Sequence, residues 1–290
     1  MSKKTLRITI AGLLFAAIAS TQAAADALKD IVERGSLSVG VKADFAPWGM
    51  RDAAGNLVGL EIDLAQDFAK RLSKQAGKDI SLNLVVVATA NRMEFLEQGR
   101  IDVLIATMSD TPERRKVVGI VQPDYYSSGI AVLARKDSGI NGWESINGKA
   151  ICGIQGSWFN KDYGTKKGAD MVAFKGVPEA EAAFLAGRCA GWLYDDSAFT
   201  ARIVADPNKW ADYAVATPVV ADVPWGAAVR KDEVNEPLGA ALSAAIIDWH
   251  KSGLISELEK KWHIPESAWV RSMHEKCLAG DKACASVREE

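Results

Sequence analysis

Residues 101–114, reading I-D-V-L-I-A-T-M-S-D-T-P-E-R, admit few folds. Residues 102–106 read as a strand in which Val103, Leu104 and Ile105 follow one another without a polar break. Apolarity on both faces suits a parallel strand covered by helices on either side. Thr111 followed by Pro112 is a helix start, a capping side chain and then proline at the first helical position. Glu113 and Arg114 fall in that first turn. The loop between, with Thr107, Ser109 and Thr111, sits at the carboxyl end of a parallel strand, where open α/β sheets bind ligands. Its N–H groups, hydroxyls and single guanidinium suit a carboxylate. A surface arginine beside an ordinary capped turn fits the same residues, and this stretch alone does not choose.

The rest of the chain extends the pattern. Leu37, Val39 and Val41 alternate with polar or small residues as a strand, followed by an aromatic loop over residues 43–48. Residues 61–75 place Ile62, Ala65, Phe68, Ala69 and Leu72 on one helical face. Residues 82–87 read as a strand, and 89–98 as a short helix stopped by Gly99. A β-α-β-α-β order predicts a parallel sheet. Residues 130–134 read as a crossing into a second lobe. There, strands at 150–154, 171–174 and 190–194 alternate with helices at 178–186 and 197–204. Residues 221–230, A-D-V-P-W-G-A-A-V-R, read as the return crossing, followed by helices at 237–251 and 256–262. The expected division is residues 26–128 and 221–265 in the first lobe, 129–220 in the second, and 266–290 as a polar tail, irregular apart from its own disulfide.

Residues 1–25 have the form of a signal peptide: Lys3, Lys4 and Arg7, an apolar run over 8–19, and small Ala23 and Ala25 before a cut ahead of Asp26. That run is too short for a membrane span, which needs about 20 residues. A soluble protein exported to the periplasm is expected. About 265 residues remain, enough for one large domain or two ordinary lobes. The net charge of −2 and the lack of a concentrated basic surface argue against nucleic acid. Export permits disulfides. Of the three pairings open to Cys152, Cys189, Cys277 and Cys284, 152–189 with 277–284 is the natural one. Two small buried hydrophobes at 152 and 189 would fit as well. No C-x-x-C spacing or histidine partner suggests zinc, and no cofactor motif is present.

Four loops stand at strand carboxyl ends: 42–48, 107–114, 155–158 and 195–196. If the lobes face each other, they converge on one cleft. Arg114 then offers a cation for a carboxylate and Asp195 an anion for an ammonium group. Phe45, Trp48 and Trp158 offer flat apolar walls. Opposed charges between aromatic walls describe an amino-acid zwitterion.

The segments I-A-T-M-S-D-T-P-E-R-R-K, D-Y-Y-S-S-G, C-G-I-Q-G-S, Y-D-D and P-W-G-A-A-V-R-K, in order across residues 37–265, resemble the periplasmic solute-binding proteins of polar amino-acid ABC transporters. The resemblance implies the type II periplasmic binding protein fold: two α/β lobes with parallel sheets, joined by two crossing strands near 127–130 and 221–224 and closing on ligand about a hinge. It also implies a monomer that delivers a free amino acid to an inner-membrane ABC permease. By resemblance the carboxylate arginine falls on Arg114, hydroxyl and amide donors on Thr107 and Ser109, the second-lobe anion loop on Ser157, and the ammonium-binding aspartate on Asp195. The aromatic wall falls on Phe45 with Trp48 nearby. Leu60 departs from the aromatic that often follows the glycine at 59.

Arg92, in Asn91-Arg92, resembles the arginine of aspartate and glutamate binders, and Lys42 a strand-end lysine of some of them. Asp44 could instead attract a cationic ligand, and Arg92 and Lys42 also fit solvated charges. Glutamate or aspartate is the expected ligand, with amide and basic amino acids as alternatives. The rival from another class is an enzyme on the same scaffold, like family relatives that dehydrate cyclic acids. It needs a general acid or base beside the reacting carbon. The four loops hold no histidine, and Glu61 and Asp63 are more simply placed with a helix dipole. A binding protein, not an enzyme, is expected.

Overall fold

The computed structural model describes residues 26–286, so the expected signal peptide lies outside the described residues. In the first lobe, strand Ser36–Val41 runs parallel to Ser81–Val86 on one side and to Val103–Leu104 on the other. Leu37, Val39 and Val41 are fully buried, as the alternation requires. Helices Leu60–Ala76 and Arg92–Glu97 make the crossovers. The sheet is mixed, not wholly parallel. Ala228–Val229 enters antiparallel between Val103–Leu104 and Gly119–Ile120. The chain reaches it straight from a strand, with no crossover helix to reverse its sense.

The second lobe repeats the plan. Asp170–Phe174, Ala150–Ile154 and Gly191–Asp195 are parallel neighbours. The long strand Tyr126–Arg135 runs antiparallel to Gly191–Asp195, and Tyr213–Val215 and Val220–Trp225 also pair with it. Tyr126–Arg135 and Val220–Trp225 are the two crossing strands. Trp225 stands opposite Tyr126 and Val223 opposite Ser128, and the register slips between Val220 and Val223. Asp222, at φ +56°, lies in that slip. A bulge bends and twists a paired ribbon, which suits the link between two lobes.

Two further expectations change. The aromatic loop at 43–48 is partly a small antiparallel sheet of Asp44–Phe45, Gly49–Arg51 and Leu57–Val58. Strands of two or three residues are too short for a periodic signal. The tail is not irregular. Residues Ala268–Ala279 form a helix capped by the Ser267 side chain and ended by Gly280 at φ +71°. Val270, Met273 and Cys277 are its buried residues, a helical spacing that its many charges obscure. It packs against helix Pro237–Ser252 and the crossing strand Tyr126–Arg135.

Both disulfides are formed, Cys152–Cys189 and Cys277–Cys284, with Cα separations of 5.5 and 5.0 Å. The first ties strand Ala150–Ile154 to the approach of Gly191–Asp195 over a separation of 37 residues. Chain-entropy reasoning assigns a loop of that length about 3–4 kcal/mol. The Cys152→Ala, Cys189→Ala double variant should therefore melt well below the wild type. A scan showing equal melting temperatures would contradict this.

Candidate functional site

Local sequence sets the first half of the site. Helix Pro112–Val117 begins as expected, the Thr111 hydroxyl accepting from Arg114 N at 3.3 Å with Pro112 in the first turn. Arg114 is buried. Its Nη1 donates to Ser109 O at 2.9 Å, and its Nη2 reaches across the lobes to Gly156 O at 3.4 Å. Burial, and then the like charge of Arg92, push its pKa down. A guanidinium stays protonated at neutral pH, so Arg114 is a buried cation, eased only in part by the fields of Asp195 and Asp110.

Arg92 opens its helix and is 2% exposed. Its Nη1 donates to Ala106 O, and burial lowers its pKa. Lys42 is fully buried, with Nζ 2.8 Å from Asp44 Oδ1 and 3.3 Å from Thr89 Oγ1. Burial lowers Lys42 although Asp44 opposes the shift. The other oxygen of Asp44 accepts from Val177 N at 3.2 Å, at the start of helix Val177–Leu185 in the second lobe. Asp44 is thus engaged twice, which argues against it holding a cationic ligand.

Asp195 ends strand Gly191–Asp195 and is 5% exposed, and its Oδ1 has no hydrogen-bond partner among the described residues. Burial, and then Asp196, raise it to about 7, against the pull of Arg92 and Arg114. Arg92, Arg114 and Asp195 therefore lie within one another's fields.

Phe45 and Trp48, expected as an apolar wall, belong to a larger buried aromatic cluster. Phe45 is fully buried, with ring centroids 5.3 Å from Trp48, 5.3 Å from Tyr194 and 5.7 Å from Trp225. Trp48 also packs on Tyr126 and Trp225, both from the crossing strands, at 5.7 Å each. Trp158 joins the edge of this cluster through Phe159, which packs on Tyr194 with centroids 6.0 Å apart, and also meets Tyr163. Ser157 and Trp158 line an open cleft of about 800 Å³ with Arg114, Thr111, Met93 and Pro224. Arg92, Lys42 and Asp195 do not line it. Gly156, at φ +82°, lets the 155–158 loop approach: a Cβ there would stand 2.7 Å from Ala90 Cα. The lobes touch directly here, through Arg114 with Gly156 O and Asp44 with Val177 N.

Thr107 and Ser109 are both buried. Thr107 has φ +46°, rare for a residue with a β-branch. Its N–H donates to Glu61 Oε1 at 2.7 Å and to the Tyr125 hydroxyl at 3.1 Å. Glu61 lies in the first turn of helix Leu60–Ala76, as a helix-dipole partner should, and is also fully buried. Asp63 meets Lys261 and Trp262 Nε1, each at 2.7 Å.

Residues 37–265 match the model of the bacterial extracellular solute-binding proteins, family 3. The chain belongs to this family. It is similar to the ABC transporter glutamine-binding protein GlnH of Bacillus subtilis (strain 168), 28% identical over 247 residues that cover 84% of this chain and 87% of the relative. A glutamine-binding protein of Geobacillus stearothermophilus is 30% identical over 220 residues, covering 74% and 80%. Among solved structures, holo ArgBP from T. maritima superposes with a TM-score of 0.69 at 28% identity, covering 81% of this chain and 99% of that one. This solute-binding protein is a binder and not an enzyme, as the named functions of its curated relatives are. No helix among the described residues is long and apolar enough to cross a membrane. The helix Ala268–Ala279 and its disulfide lie beyond the segment that matches the family.

Sequence reasoning singled out none of Thr89, Tyr125, Tyr194 and Trp225, and it weighed Glu61 only as a catalytic acid or a helix-dipole residue. Glu61 looked like any acidic residue in a first helical turn, and only its fully apolar neighbours Leu60 and Ile62 hinted at burial. Tyr194 and Trp225 flank motifs already singled out, Asp195 and P-W-G, and those motifs were the available signal.

Proposed function

We propose that this protein captures a free polar amino acid in the periplasm, preferring glutamate or aspartate, and delivers it to an inner-membrane ABC permease. The observation that carries this reading is a charge count. Lys42 already has Asp44 at 2.8 Å. Arg92 and Arg114 are buried with no ion pair among the described residues, and Asp195 is a buried carboxyl with an unpartnered oxygen. An amino acid brings a carboxylate for Arg114 and an ammonium group for Asp195. Arg92 then remains, and a buried cation without a partner is costly, so a second carboxylate is the side chain that fits. Thr107, Ser109 and Ser157 supply hydrogen bonds to the ligand carboxylate, and Phe45 its apolar wall.

An amide ligand is the second reading. The two glutamine-binding relatives favour it, and so does Glu61, whose field also falls on Arg92. Calorimetry against the twenty common amino acids tests the proposal. Glutamate or aspartate should bind tightest, near micromolar, which is about −8 kcal/mol. Tight binding of arginine or glutamine with glutamate ignored would reject the acidic preference and leave the transport role standing.

A further inference from the structure

Glu61 has no part in the contacts assigned above, yet it sits against them. It lies in the first turn of helix Leu60–Ala76 but is fully buried. Its Oε1 accepts from the Tyr125 hydroxyl and from Thr107 N–H, and its buried Oε2 has no hydrogen-bond partner among the described residues. The peptide group between Ala106 and Thr107 is held from both ends. Its N–H meets Glu61 and Tyr125, and its C=O accepts from Arg92 Nη1. Thr107 is left-handed at φ +46°, a conformation that persists only where its surroundings hold it. One peptide thus connects the Glu61 carboxyl to the Arg92 guanidinium.

The groups that face Glu61 come from four directions. Arg92 approaches from helix Arg92–Glu97, Lys42 from the end of strand Ser36–Val41, the Tyr125 hydroxyl from the segment before Tyr126–Arg135, and the Thr107 N–H from the ligand loop. Lys42 is already paired with Asp44. The charge of Glu61 is therefore felt chiefly by Arg92, the one facing cation without a carboxylate of its own.

We propose that Glu61 decides whether this cleft prefers a carboxylate or an amide side chain. Ionised, it offsets Arg92 and removes the advantage of an acidic ligand. Protonated, it leaves the full charge of Arg92 for the ligand. The inference rests on Arg92 reading the ligand side chain, as proposed above. It makes glutamate binding proton-coupled: entry of a second carboxylate draws up to one proton from solvent onto Glu61, the more the higher the pH, while glutamine needs none. Burial raises Glu61 to about 7, so both forms are present near neutral pH.

The measurement is the ratio of the Kd for glutamate to the Kd for glutamine, by calorimetry at pH 6 and pH 8. Asp195 is also raised to about 7 and shares the field of Arg92, so the part of the pH slope that belongs to Glu61 is the part that Glu61→Gln removes. As pH rises, Glu61 ionises and glutamate binding weakens, so the wild-type ratio should rise by up to about tenfold. Glu61→Gln keeps an acceptor for Tyr125 and Thr107 but cannot ionise. Its ratio should rise much less than the wild type's between pH 6 and pH 8 and stay near the acid-favouring value. A merely structural Glu61 would weaken both ligands together and leave the ratio and its pH slope unchanged. A wild-type ratio that does not move with pH, or the same slope in Glu61→Gln, overturns the inference. If the variant does not fold, proton uptake by the wild type decides, measured in two buffers of different ionisation enthalpy. More uptake with glutamate than with glutamine supports Glu61, and equal uptake overturns it. Failure of both ligands to bind at either pH would overturn the site reading itself and this inference with it. Binding with a flat ratio would overturn this inference alone.

Discussion

Arg114→Ala should abolish binding of every amino acid that the wild type binds. The side chain is buried, and the sequence around it exists to present it: Thr111 caps the helix, Pro112 starts it, and Ser109 O holds one nitrogen at 2.9 Å. Truncating one partner of a buried charge pair costs about 2–5 kcal/mol or more, roughly 30-fold to several thousand-fold in Kd. The α-carboxylate is common to all amino acids, so the loss should be uniform across a calorimetric panel. The substitution also removes the 3.4 Å contact to Gly156 O that joins the lobes. Circular dichroism should show a folded variant, because Arg114 makes no ion pair that the core depends on. A variant that still bound its ligand at wild-type strength would sink the carboxylate role.

Arg92→Ala should discriminate where Arg114→Ala does not. Acidic ligands should weaken by about 2–5 kcal/mol, since their second carboxylate loses its buried cation. Neutral amino acids should be nearly unaffected, apart from a small shared loss as Ala106 O gives up its donor. A uniform loss across acidic and neutral ligands would reassign Arg92 to holding the Thr107 turn alone. That outcome would leave the acidic preference without its main support.

The fold was readable because its signals are long and periodic. Strand Ser36–Val41 alternates, helix Leu60–Ala76 repeats its apolar face over four turns, and Thr111-Pro112 marks a helix start by side-chain chemistry alone. The charges of the candidate site were readable for a related reason: Asp195 ends a strand and Arg114 lies in the first turn of the helix after a strand-end loop, where open α/β sheets bind ligands. What escaped were features set by packing between distant segments. Glu61 is 64 residues from the Tyr125 that bonds it, and Trp225 meets Phe45 across the lobe junction. Neither partnership leaves a trace in local sequence. Asp44 pairs with Lys42 inside its own lobe, but its contact with Val177 N comes from the other lobe, so sequence left its role open between pairing and ligand binding. The helix Ala268–Ala279 was hidden by its polarity, with only Val270, Met273 and Cys277 buried on it.

The position of Ala228–Val229 bears on how the chain assembles as it emerges. This short strand stands inside the first sheet, between Val103–Leu104 and Gly119–Ile120. Every strand of the second sheet lies between Tyr126 and Trp225, so all of them are synthesised before it. A chain delivered amino end first therefore has the second sheet complete in sequence while the first still has a gap in its middle. Contacts far apart in sequence must wait for loop closure. The lobe that begins last is the one that can finish first, and the lobe that begins first stays an unfinished template until the return strand slots in.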